Sequence, residues 1–150
     1  MAELAQQWGY DEIDLNCGCP SERVQRGAFG ACLMAEPKLV SQCVKAMKDA
    51  VDIPISVKHR LGLDSMDASS SKADYQFALD FILSVADAGA SQVTIHARNA
   101  VLKGLSPKEN RSKPPLRYEV AAQLRLDAQK HFPDLKVLLN GGLESNEQIA

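Results

Sequence analysis

The sequence predicts an α/β fold, part of a (β/α)8 TIM barrel, with about four βα units present. Strand-like runs alternate with segments of helical period, the order of right-handed βαβ units around a parallel sheet. Within each run the apolar residues share one parity: Ile13 and Leu15, Ile55 and Val57, Val93 and Ile95, Val137 and Leu139. The other parity closes the runs on polar side chains, Asn16, Lys58, His96 and Asn140. An open sheet covered on both faces carries continuous apolar runs instead. A barrel keeps its chemistry at the carboxyl ends of its strands, which suits polar groups delivered to one end of the sheet on its inner side.

The elements follow in order. Residues 1–9 have the pattern of a helix leading into the first strand, Glu12-Ile13-Asp14-Leu15. Asn16-Cys17-Gly18-Cys19-Pro20 comes next; Pro20 cannot continue a ladder and Gly18 tolerates unusual dihedrals, so the backbone turns. Leu39, Val40, Cys43, Val44, Met47 and Val51 recur at three- and four-residue spacing, a helix with Pro37 in its first turn and Ile53-Pro54 at its end. Residues 55–58 form the second strand, and the polar, Ser-rich stretch 64–73 is a loop by composition. Ala78, Ile82 and Val85 mark a second helix, with Gly89 as its C-cap. Residues 92–96 alternate as a strand, 97–115 form a long basic loop, and Leu116, Val120, Leu124 and Ala128 give a third helix. Residues 136–139 are a fourth strand, running into Asn140-Gly141-Gly142.

A barrel of this kind takes about 250 residues. The 150 here are therefore expected to be an internal segment truncated at both ends, with Ser145-x-x-Gln148 as a capping box opening another helix. No internal repeat or second domain is visible, so residues 1–150 read as one partial catalytic domain.

A hydrophobic fraction of 45% and a charged fraction of 24% suit an ordinary soluble protein. The net charge of −2 gives no chain-wide attraction for nucleic acid, so an RNA partner would need a local basic patch. No apolar run reaches the ~18 residues of a membrane helix, and the first residues lack the pattern of a signal peptide. No membrane partner is expected, and the cytoplasm is the expected compartment, or an organelle in a eukaryotic source. Cys17, Cys19, Cys32 and Cys43 make neither a disulfide framework nor a zinc motif, so no metal is expected. Cys32 and Cys43 lie among apolar neighbours and are expected in the core.

Chemistry concentrates at the strand ends. Cys19, on a turn past a strand, is either a small buried hydrophobe or a reactive thiol. Lys58 on the inner face needs an anion: Asp14 or Glu12 of like parity, or an electron-rich cofactor. His96 is a core histidine or an anion ligand. Asn140-Gly141-Gly142 is a plain turn or a source of backbone N–H groups for a phosphate. Between Arg98 and Arg117 the loop also carries Lys103, Lys108, Arg111 and Lys113 against Glu109 alone, a solvated loop or a strip for a phosphodiester backbone.

Those residues resemble a known family. Asp11-Glu12-Ile13-Asp14-Leu15-Asn16-Cys17-Gly18-Cys19-Pro20 is similar to the active-site strand of the tRNA-dihydrouridine synthases. Val57-Lys58-His59-Arg60-Leu61-Gly62, Ile95-His96-Ala97-Arg98 and Leu139-Asn140-Gly141-Gly142 resemble their flavin-binding strand ends, in the same order. Gly104-Leu105-Ser106-Pro107-Lys108-Glu109-Asn110-Arg111 with Pro114-Pro115-Leu116 resembles the A subgroup, although Val101 stands where that subgroup has a large aromatic and residues 68–72 look inserted. The resemblance implies FMN-dependent reduction of a D-loop uridine of tRNA to 5,6-dihydrouridine. Cys19 would then protonate C5 while hydride reaches C6, with NADPH as reductant. Lys58, His96, Asn140, Gly141 and Gly142 would bind FMN. Asn16 would contact the substrate nucleotide, and Lys108 and Arg111 the tRNA. It further implies a monomeric full-length enzyme whose remaining flavin-site strands and C-terminal helical domain lie outside these residues. Two other functions fit parts of the pattern: a flavin barrel acting on a free pyrimidine, like dihydroorotate dehydrogenase, and a non-catalytic tRNA-binding remnant.

Overall fold

Four strands pair in parallel and in sequence order in a computed structural model that describes residues 1–64 and 71–148. They are β1 (Ile13–Cys17), β2 (Ile55–Arg60), β3 (Gln92–His96) and β4 (Lys136–Asn140). Helices α1 (Ala2–Gln7), α2 (Glu22–Arg26), α3 (Pro37–Ala50), α4 (Ser71–Asp87) and α5 (Tyr118–His131) complete the βα alternation. Short 3-10 turns occupy Gly30–Ala35, Glu109–Arg111 and Asn146–Gln148.

Register decides which side chains share a face. Leu15 pairs with Val57, Val57 with Val93 and Val93 with Val137, one apolar row across the sheet. That row packs with Ile13, Cys17, Ile55 and Ile95 under α3, α4 and α5 through Val40, Val44, Ala78, Ile82, Val85, Ala121, Leu124 and Ala128, whereas Leu139 of β4, expected on the same face, is 43% exposed. Each fully buried Val, Leu or Ile there contributes about 1.5–3 kcal/mol relative to exposure. The opposite parity carries Asn16, Lys58 and Thr94 in one row, and Arg60, His96 and Asn140 in the row two residues nearer the carboxyl ends. The expected division between helix-covered and polar faces is therefore present. Among the described residues β1 and β4 each have one strand neighbour.

Several expectations need correction. Cys32 is half-buried, and Cys43 is exposed because the buried line of α3 runs through Val40 and Val44, one helical step away from it. Leu39, on the same step, is 48% exposed. The stretch between β1 and α3 folds into α2 and a 3-10 turn that the periodicity did not mark. Helix α4 begins at Ser71, inside the expected loop; residues 65–70 of that loop, with most of the Ser-rich insertion, lie outside the described residues. The capping-box pattern is used in part: Gln148 Oε1 accepts from the N–H groups of Glu144 and Ser145, at 2.7 and 3.2 Å, on a short 3-10 turn. No described helix is long and apolar enough to cross a membrane.

Candidate active site

The turn that carries Cys19 is built by Asn16 rather than by glycine flexibility. Asn16 Oδ1 accepts from the backbone N–H of Gly18 at 3.0 Å and of Cys19 at 3.2 Å, an Asx turn closed by the last inner-face side chain of β1. Gly18 does not adopt a positive φ, and a methyl group there would meet only ordinary contacts. The Cys19 carbonyl accepts from the N–H of Ala31 at 2.8 Å, which anchors the turn to the following 3-10 segment. Its Sγ lies 3.6 Å from Ser21 Oγ and is half-buried.

The two neighbouring thiols have different environments. Cys17 has helix-facing parity and is fully buried, and burial together with the nearby Asp14 pushes its pKa up to about 12. It is a core thiol, chemically inert at neutral pH. Cys19 has the exposure a reacting group needs.

Lys58 sits beside Asn16 on the adjacent strand. Its expected carboxylate partners are engaged elsewhere: Asp14 Oδ1 and Glu12 Oε1 accept from Ser56 Oγ at 2.9 and 3.2 Å. Among the described residues Lys58 makes no side-chain hydrogen bond or ion pair. Burial, then the Arg60 charge, lowers its pKa, while Asp14 acts in the other direction.

His96 is 7% exposed, and among the described residues its Nε2 has no hydrogen-bond partner. Burial first, then the charges of Arg60, Lys58, Arg98 and Arg111, bring its pKa down to about 3, so the ring is neutral at pH 7. Gly141 makes room for it. At φ +104°, a Cβ on Gly141 would stand 2.6 Å from His96 Cδ2 and 2.8 Å from Nε2. Gly142 is equally constrained, with its Cβ position 2.6 Å from Leu116 Cδ1. Tyr118 donates its hydroxyl to the Gly141 carbonyl at 2.7 Å, and the Ala97 N–H donates to Asn140 O at 2.9 Å. His96, Asn140 and the glycine pair are thus held together as one corner.

The basic loop divides into structural and available charges. Arg98 is buried and donates to the carbonyls of Ser112, at 3.2 Å, and Pro114. Arg117 is buried against Asp74 at 3.1 Å and also donates to Asn99 Oδ1. Lys113 pairs with Glu109 at 2.6 Å, and with Ser106 it holds the Glu109 carboxyl down at about 2. Three of the six expected cations are therefore spoken for. Lys103, Lys108 and Arg111 are exposed and, among the described residues, make no side-chain hydrogen bond or ion pair. Asn110, fully buried, holds the loop's shape: its Oδ1 accepts from Val101 N–H at 2.8 Å, and its Nδ2 donates to Val101 O at 3.0 Å. Val101, where an aromatic was expected from the resemblance, is itself buried.

Arg60 went unassigned from sequence alone. It belongs to β2, pairs with His96 on β3 and is 3% exposed. Its signal was parity: it stands two residues beyond Lys58 and would share the inner face in a strand two residues longer. Among the described residues no group of three or more His, Cys, Asp or Glu could hold a metal ion.

A parallel arc of βα units, with a thiol, an amine, an imidazole and amides at the carboxyl ends of its strands, is the arrangement of one side of a (β/α)8 barrel, a fold that carries its chemistry at that end. A crystal structure from Burkholderia cenocepacia J2315, described as a phosphonomutase, shares this fold at TM-score 0.57 and 15% identity, over 92% of this chain and 48% of that one. The family model Dihydrouridine synthase (Dus) matches residues 1–150, so the chain belongs to the dihydrouridine synthase family. A tRNA-dihydrouridine(20/20a) synthase of Synechocystis sp. is 55% identical over 148 residues, 99% of this chain and 41% of that protein. The proteins of that name from Pseudomonas aeruginosa and Xanthomonas campestris pv. campestris are 55% and 57% identical, each over 97% of this chain and 41% of their own length. The chain therefore spans about 41% of the relatives it matches.

Proposed function

We propose that these residues are part of the catalytic domain of a tRNA-dihydrouridine synthase, whose full-length protein reduces the C5–C6 double bond of D-loop uridines. The positions in the relatives' names, 20 and 20a, are the proposed targets. The single observation that carries this is a half-exposed thiol on an Asx turn, next to an inner face of unpaired donors, in a chain of this family.

The donor set suits FMN. Among the described residues Lys58 has no side-chain partner and His96 Nε2 is buried and unsatisfied, and Gly141 and Gly142 leave a corner that side chains would fill. These are groups for an anion-bearing ring with carbonyl acceptors and a phosphate. Lys58, His96, Asn140, Gly141 and Gly142 would hold it. When bound and reduced by NADPH, FMN supplies the hydride that reaches C6 of the uridine. The chain's own part is the proton. Addition at C6 leaves carbanion-like density at C5, and Cys19 Sγ–H gives its proton there, leaving a thiolate that solvent reprotonates. Lys58 stabilises negative charge on its neighbours, and Asn16 both shapes the turn and presents its amide to the base. Lys108 and Arg111 hold tRNA phosphates, which sets register without reading sequence. Leaving the stack costs the uridine a few kcal/mol, less in a loop than in a duplex.

The test is the full-length protein with NADPH on unmodified tRNA and on dihydroorotate, with dihydrouridine read by mass spectrometry of the nucleosides. Dihydrouridine from tRNA is the expected result; turnover of dihydroorotate alone would overturn the proposal.

A further inference from the structure

Among the described residues Arg60 is a cation buried without a carboxylate partner. Its acceptors are three backbone carbonyls on two separate loops: Nε donates to Gly18 O at 3.2 Å, and Nη1 donates to Asn110 O at 2.9 Å and Asn99 O at 3.3 Å. Gly18 immediately precedes Cys19. Asn110 stands between Lys108 and Arg111 in the exposed basic loop. We propose that Arg60 is a positioning residue that sets the Cys19 turn in register with the loop that meets tRNA phosphates, so that a backbone held at Lys108 and Arg111 brings its uridine to the thiol; this rests on the function proposed above.

The partners on each side are rigid enough to transmit position. The Cys19 turn is closed by Asn16 and pinned to Ala31. The basic loop is fixed internally by Asn110, whose amide also donates to Leu105 O and Ser106 O at 3.3 Å each. A planar guanidinium with five donors can serve both loops at once, whereas an ammonium is a single compact donor group. Stability alone gives a weak reason for this arrangement. A well-packed apolar side chain often serves a buried position as well as a charge does. Here burial first, then the charges of Arg98 and Arg111, disfavour the Arg60 cation.

The test uses the full-length protein as R60K, with R60Q as a second variant. Amide hydrogen exchange is read without tRNA or flavin at Cys19 and Arg111, with Val57 and Val93 as core references. Tight binding of tRNA and the maximal rate of dihydrouridine formation are measured separately. The expected result is at least tenfold faster exchange at both Cys19 and Arg111, unchanged exchange at Val57 and Val93, tRNA affinity within threefold of wild type, and kcat down at least tenfold. Protection kept at either segment, equal loosening of the core strands, a loss confined to tRNA affinity, or failure of both variants to fold would each overturn the proposal. The exchange result does not depend on the reaction, so it separates the two ideas. A wild-type protein that makes no dihydrouridine would overturn the functional proposal, and with it the purpose assigned to Arg60, even where exchange reports the link between the loops.

Discussion

Replacing Asn16 with alanine removes one oxygen that accepts from two backbone N–H groups, those of Gly18 at 3.0 Å and Cys19 at 3.2 Å. Each such bond contributes about 0.5–1.5 kcal/mol net. The Gly18 amide is buried and belongs at the upper end, because alanine leaves it unsatisfied; the Cys19 amide is reached by water and belongs at the lower end. The turn should therefore lose about 1–3 kcal/mol, which raises its open population about 5- to 150-fold. Hydrogen exchange at the Gly18 and Cys19 amides of the full-length protein reads that opening directly, and kcat for dihydrouridine should fall with it. Asn16→Asp keeps the acceptor and loses the amide NH2, so it should preserve protection at both amides while impairing any contact that NH2 makes with the base. Wild-type exchange in Asn16→Ala, or equal loosening in Asn16→Asp, would show that the Asx turn does not hold Cys19.

Three other outcomes follow from the geometry. Gly141→Ala combines a φ of +104° with a Cβ 2.6 Å from the His96 ring and should cost about 2–4 kcal/mol, seen as a lower urea midpoint; His96→Ala should recover part of it, and independent effects of the two changes would refute the clash. His59 and His96 have pKa values lowered to about 4 and about 3, mainly by burial. The unfolded chain therefore takes up protons first as pH falls below the ordinary histidine value of 6.5. Stability should thus be full above that pH and drop towards pH 4, by about 3 kcal/mol for His59 alone, and a flat urea midpoint between pH 7 and pH 4 would contradict this. Finally, Lys108→Ala with Arg111→Ala should lessen the salt dependence of tRNA binding by about 1.5 in log–log slope, and an unchanged slope would remove these residues from the interface.

The face assignment was legible because strand alternation is one-dimensional. Parity alone puts Leu15, Val57, Val93 and Val137 under the helices and Asn16, Lys58, His96 and Asn140 on the other side, as the register shows. What escaped depends on contacts distant in sequence. Arg60 lay two residues beyond the expected strand 55–58, but pairing with His96 extends that strand over it. Arg117 looked like one more solvated cation, yet its partner Asp74 lies 43 residues earlier on α4. Cys43 and Val44 are adjacent apolar residues of α3, and only packing tells which one faces the sheet. The turn at Cys19 was placed correctly but attributed to Pro20 and Gly18 alone, whereas the Asn16 side chain closes it. A side chain that bonds its own backbone leaves no periodic trace.

Dihydrouridine formation by the full-length Cys19→Ala protein tests the central claim most directly. That variant should bind tRNA with wild-type affinity, keep its flavin absorbance and form no dihydrouridine, because the proposed mechanism draws the C5 proton from the half-exposed Cys19 thiol. Wild-type turnover in Cys19→Ala would mean that another group delivers that proton.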